Sequence, residues 1–183
     1  RRMYHQLTGP FYRAYSTVSS IVVGQAIGKG DLEQARFEGW FTTGISVVVL
    51  TIAGFILFIQ SEFLVSFFTS DSLTIYHATN FAKTFSVAII FVSLYFSLAG
   101  ALQGAGDAMT PFIARTTGFF GVFLGLSYLL SVPLNFGVFG IYVGIVCSYI
   151  WMALIVFYGF YGKKWELKAT DALKKRHQSV TNK

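Results

Sequence analysis

Two short clusters in this chain place reactive side chains in an otherwise apolar setting. The first is Pro10-Phe11-Tyr12-Arg13-Ala14-Tyr15-Ser16, a guanidinium flanked by two phenols and a hydroxyl. The second is His77, Asn80 and Lys83, spaced by three, with Thr84 adjacent. Residues three apart share a helix face, so this second group forms one polar stripe. An ionisable group at membrane depth is costly and is for that reason a functional suspect. Arg13 would meet a charged cargo or a carboxylate elsewhere, and Tyr12 and Tyr15 offer ring faces on which a flat cation stacks. The plainer readings are that Arg13 and Lys83 extend toward headgroups and that the tyrosines pack between helices. No nucleophile–base pair, metal-ligand cluster or dinucleotide fingerprint occurs in the sequence, so no enzyme, metal or cofactor is expected. Cys147 is the single cysteine and has no partner for an internal disulfide.

The elements that carry these residues are hydrophobic runs. The chain of 183 residues is 54% hydrophobic and 12% charged, against about 25% charged in a soluble domain. It lacks the polar surface to cover a water-soluble fold. No Asp, Glu, Lys or Arg occurs from Thr116 to Gly162, an interval long enough for two bilayer crossings at about 20 residues each. Apolar windows predict five spans, approximately 6–27, 40–60, 76–102, 112–134 and 138–161. Backbone in hydrocarbon satisfies its own hydrogen bonds, so the spans read as helices of an all-α, polytopic bundle. The short alternating stretches of a β-barrel are absent from the sequence. Leu64, Phe67 and Phe68 in the 61–72 link suggest a short interfacial helix, and the link around Asn135-Phe136-Gly137 reads as tight. Pro10 and Pro133 are candidate kinks. Gly121-x-x-x-Gly125 and Gly140-x-x-x-Gly144 are candidate close-packing pairs.

Charge gives direction. Segments 28–39, 103–115 and 163–183 share one side and hold ten of the basic residues. The 61–72 and 135–137 links on the other side hold none. The Lys/Arg-rich side is expected to be cytoplasmic, so the net charge of +6 is topological and no nucleic-acid partner is expected. Residues 1–162 form the bundle on this reading, and 163–183 form a basic cytoplasmic tail lying along anionic headgroups. The chain begins with Arg1 and reads as the later part of a longer protein.

One device occurs twice. Gln25-Ala-Ile-Gly28-Lys29-Gly30-Asp31 and Gln103-Gly104-Ala105-Gly106-Asp107, the latter followed by Pro111, each close an apolar run with G-x-G-D. Glycine tolerates positive φ and ends helices. Aspartate caps the helix that follows, and Gln34, three residues after Asp31, fits a capping box. Pro111 suits a helix start. A phosphate loop is the sharper alternative for Gly24–Lys29. However, it has three residues between its glycines instead of four, Gly30 in place of Ser or Thr, and no preceding strand.

Val23–Arg36 and Gln103–Pro111, at this separation on a hydrophobic scaffold, resemble the second half of MATE (multidrug and toxic compound extrusion) transporters over nearly the whole chain. The resemblance implies five spans, helices eight to twelve, of a MATE-type six-helix C-lobe in a twelve-helix protein. It implies a multi-pass plasma-membrane antiporter that exports organic cations, drugs or other amphipathic compounds by alternating access, coupled to H⁺ or Na⁺. Its partners would be the bilayer, small-molecule substrates and the N-terminal half of the same polypeptide. Gln25, Gly28, Gly30, Asp31, Gln103, Gly104, Gly106, Asp107 and Pro111 would form rigid structural corners. Tyr12, Arg13, Tyr15, Ser16, His77, Asn80 and Lys83 would line the substrate pathway. One bacterial branch carries an acid in the tenth helix, where this sequence has Lys83 and no carboxylate. The coupling-ion site is therefore expected in the N-terminal half, as in the branch that uses an Asp on the first helix. The alternatives are a lipid-linked saccharide flippase of the same wider superfamily and a membrane scaffold or sensor.

Overall fold

The computed structural model describes the backbone of residues 9–181, and the side chains of these except 9–13, 15, 172 and 175–181. It is helical throughout its elements: α1 Gly9–Gly28, α2 Leu32–Ser66, α3 Ser72–Gly104, α4 Met109–Ser131, α5 Val138–Tyr161 and α6 Lys164–Thr181. Four of these, α2 to α5, are long and apolar enough to cross a membrane. In α1 the apolar described part is Ser16–Gly28.

The helices outrun the apolar windows. At 1.5 Å per residue α2 is about 52 Å long, well beyond a hydrocarbon core of about 30 Å. Its 35 residues take in polar first turns and the segment Ser61–Ser66 as one continuous helix. This overturns the expected interfacial helix. Leu64 belongs to the last turn of α2, and Phe67 and Phe68 lie in the exposed link after it. Pro10 is the second described residue of α1, and the chain before Gly9 lies outside the described residues. Pro133 kinks no helix, because it lies in the turn after α4 has ended. That turn is tight. Asn135 and Gly137 take positive φ, and the Phe136 N–H donates to the Leu130 carbonyl at 3.1 Å. The middle of α4, Thr117–Leu124, is π-helical, a widening not anticipated from the sequence.

Small residues hold the helices together. On α1, Ser16, Ser20 and Gly24 fall four apart and face Gly100 and Gly104 of α3. A Cβ at Gly100 would sit 2.2 Å from the Ser16 carbonyl oxygen, and one at Gly104 2.3 Å from that of Ser20. The two backbones therefore touch. Without a hydrophobic drive between helices in lipid, such close packing is what holds them together. Gly54 of α2 admits Ile89 and the Ser86 carbonyl of α3, and the buried hydroxyls of Thr43 and Ser97 bond across the same pair at 3.0 Å. Gly140 and Gly144 of α5 accept Ser131 and Ser127 of α4, as expected of that pair. Gly121 and Gly125 face open space, so the other proposed pair packs against nothing described. The buried apolar core gathers at one end of the bundle, around Val23, Leu98, Leu102, Val156, Phe160 and Trp165. At the opposite end α3 borders two clefts, one toward α5 and one toward α2.

Candidate functional site

Two regions carry polar chemistry, one at each end. At the core-rich end, both G-x-G-D segments form the same structure. Gly30 and Gly106 each take φ +82. The Gly30 N–H donates to the Ile27 carbonyl and the Asp31 N–H to that of Ala26; the Gly106 N–H donates to Gln103 and the Asp107 N–H to Leu102. This paired return of donors to the last turn is a Schellman motif, and the residue at the left-handed position is glycine because a Cβ there is strained. The repeated segment thus encodes a repeated helix stop. Gly28 and Gly104 do different work. Gly28 meets nothing, whereas Gly104 is the contact with Ser20.

The aspartates then start the next helices. Asp31 Oδ1 accepts the Gln34 N–H at 2.8 Å. The reciprocal half of the capping box is absent, because the Asp31 N–H is already committed to Ala26. Asp107 accepts from the Thr110 hydroxyl at 2.7 Å and from the Lys168 ammonium at 2.9 Å, and its side chain is 4% exposed. Burial pushes the Asp107 carboxyl up, but the hydrogen bonds from Lys168 and Thr110 outweigh it and hold the group below the usual carboxylate range. Pro111 is buried in the first turn of α4. Gln25 and Gln103 are exposed.

The tail closes this end. Its helix α6 is docked on the bundle through buried Trp165 and Ala169. The Trp165 ring stacks on Phe160, and its Nε1–H donates to the Phe160 carbonyl at 2.8 Å. Glu166 pairs with Arg36 and Lys168 with Asp107. One turn of α6 thus reaches the start of α2 through Arg36 and the second corner through Asp107. Part of the basic tail is therefore a structural strap on the protein; the sequence signal was Trp165 among charges, spaced by four from Ala169.

At the open end, His77, Asn80 and Lys83 do share a face of α3. Together with Phe136, Phe139 and Tyr142 they line a cleft of about 490 Å³ between α3 and α5. The Tyr142 hydroxyl donates to the His77 carbonyl at 3.1 Å and ties the two helices at its rim. Lys83 and Asn80 also border a second cleft of about 410 Å³ against α2, with Glu62, Ser72 and Thr79. Lys83 is half-buried and makes no ion pair among the described residues. The buried Thr79 hydroxyl has no hydrogen-bond partner there either. Ser16 lies at the α1–α3 crossing against Gly100. Tyr12, Arg13 and Tyr15 are on α1, and their side chains lie outside the described residues.

Residues 6–129 match the family model described as MatE. The chain is 28% identical over 146 residues to the human protein Multidrug and toxin extrusion protein 1, covering 80% of this chain and 25% of that one. It is 24% identical over 157 residues to a Probable multidrug resistance protein NorM of Thermotoga maritima, covering 84% of this chain and 33% of that one. The fold matches the crystal structure of the eukaryotic MATE transporter AtDTX14 with a TM-score of 0.82 at 20% identity, over 90% of this chain and 37% of that chain. The chain thus spans about a quarter to a third of the curated relatives it matches.

Proposed function

The chain belongs to the MatE family, and from that premise we propose that it forms five membrane-spanning helices of a secondary transporter that exports amphipathic compounds by alternating access. The relatives' names, multidrug and toxin extrusion and multidrug resistance, support the direction and the cargo class. The observation within the chain that carries the reading is the cleft at Lys83. A half-buried ammonium, without an ion pair among the described residues, stands with an amide and an imidazole beside a run without charge from Thr84 to Gly106. Such a group, partly withdrawn from water at the edge of a charge-free run, is expected where cargo passes.

On this reading Tyr12, Arg13, Tyr15, His77, Asn80 and Lys83 line the path, with Ser16 at its helix crossing. The core-rich end, with both corners and α6, faces the cytoplasm, since it collects the basic residues. The first six helices and the seventh belong to the same polypeptide. Coupling to H⁺ or Na⁺ requires a carboxylate that binds the ion in one state only. The sequence places Glu62, Asp71 and Asp107 in helix ends and links, so the coupling acid sits in the N-terminal half. The flippase reading is second. It calls for a cleft lined by many basic residues, and on this reading only Arg13 and Lys83 qualify.

The test is reconstitution of the full-length polypeptide in liposomes, with export of a fluorescent organic cation and, separately, of a fluorescent amphipathic acid followed under an imposed proton gradient and then a sodium gradient. Movement that follows one gradient supports antiport and names the ion. Folded protein that moves nothing under either gradient overturns it in favour of the flippase.

A further inference from the structure

We infer that the cleft between α3 and α5 is a binding site for the acidic head of an amphipathic molecule, a carboxylate or phosphate carried on an apolar chain. The inference deepens the transport reading by naming a ligand class for this site, and its binding test does not depend on transport.

Depth is the first argument. From Thr84 to the end of α3 at Gly104 no charge occurs, and that length of helix spans about 30 Å, one hydrocarbon thickness. Lys83 therefore stands at the boundary between acyl chains and headgroups, where the acid of an amphipath resides. A lysine that merely extends to the headgroups would lie on a lipid-facing surface. Lys83 instead lies between two clefts, half-buried.

Charge is the second argument. In the α3–α5 cleft the charged and titratable neighbours are Lys83, His77 and two tyrosines, with no carboxylate. Glu62 borders the other cleft, across α3, and forms no ion pair with Lys83. An ammonium partly withdrawn from bulk water, whose neighbouring carboxylate lies in the other cleft and beyond ion-pair reach, gains from an incoming anion. The Lys83 ammonium and the Asn80 amide are donors of the kind a carboxylate or phosphate accepts.

Shape is the third argument. Phe136, Phe139 and Tyr142 wall the same cleft, so the polar floor has an apolar side for a chain. A volume of about 490 Å³ falls within the range of small-molecule sites and holds a headgroup with the first part of its tail.

The experiment uses the full-length polypeptide in phosphatidylcholine nanodiscs. Binding of 11-(dansylamino)undecanoic acid is read as fluorescence above that of empty discs, beside its methyl ester. Saturable binding of the acid, with the ester at least about tenfold weaker, is the result expected from one charge-assisted contact. Lys83→Met should weaken the acid by a similar factor, Lys83→Arg should retain it, and Lys29→Met at the far end should not alter it. Discs containing phosphatidylglycerol separate the sources. Competition by the lipid assigns the site to a membrane headgroup, and undiminished probe binding assigns it to a soluble amphipath; both retain the acidic head. Equal binding of acid and ester, or Lys83→Met binding like the unaltered protein with an unchanged melting temperature, overturns the inference. Loss of transport with binding intact would remove the antiport reading and leave the site standing.

Discussion

At the scale of single residues, the glycines separate into kinds that a sequence alone cannot tell apart. Gly30 and Gly106 are needed for their positive φ, Gly100 and Gly104 for the absence of a Cβ at a backbone contact, and Gly121 for neither. Gly30→Ala should therefore cost about 1–2 kcal/mol, the penalty for an L-residue in the left-handed region. Gly104→Ala forces α1 and α3 apart and should cost about 1–3 kcal/mol or more, as overpacking does. Gly121→Ala should be neutral or slightly stabilising, because helix propensity improves and nothing is displaced. Thermal unfolding in detergent ranks the three, and a Gly121→Ala loss as large as that of Gly104→Ala would contradict the packing described. The turn role of G-x-G-D was legible because positive φ has a residue signature. The contact role of Gly104 was not, because its partner Ser20 lies more than eighty residues earlier and is an ordinary helix residue in sequence.

Among the elements, α6 departs most from its reading in the sequence. A run rich in lysine is expected to lie on headgroups, and Lys164, Leu167 and Lys174 are exposed. Composition does not show that one turn carries Trp165, Glu166, Lys168 and Ala169 onto the bundle, since each contact is with a distant segment. Trp165→Ala removes a fully buried ring, a change costing about 3–5 kcal/mol in well-packed sites. The expected outcome is local: trypsin should cut at Lys163 or Lys164 in the variant while the spans stay protected. A second expectation concerns pH. The carboxyl of Asp107 is held below its usual value, so the stabilisation it provides is complete above about pH 3.9, the unfolded value. It is lost as pH falls through the lowered native value. Tryptophan emission should accordingly be flat from neutral pH to about 4 and change below that. Asp107→Asn should shift the emission already at neutral pH and flatten the acid change. The four long spans were legible because uninterrupted apolar length has few other uses. The π-helical middle of α4 was not, because a Gly- and Phe-rich run is equally compatible with regular helix.

For the whole molecule, the unequal distribution of packing between the two ends is the property that bears on the proposed transport role. Near the corners, α3 is enclosed by α1, α2 and α5 in a continuous run from Leu98 to Leu102 and is strapped by α6. Near its start the same helix borders two clefts, and residues such as Leu73, Tyr76 and His77 are exposed. Local opening is easiest where buried apolar contacts are few. Backbone amides of Leu98–Leu102 should therefore exchange with solvent deuterium far more slowly than those of Tyr76–Asn80. Bilayer shielding alone predicts another pattern, in which protection follows depth and treats both borders of the hydrocarbon alike. Trp165→Ala separates the two explanations. If the strap and core hold the corner end, that substitution should speed exchange at Ala101–Ala105 and leave Tyr76–Asn80 unchanged. If depth alone sets protection, neither segment should respond, and the corner end would not be held by the strap and core.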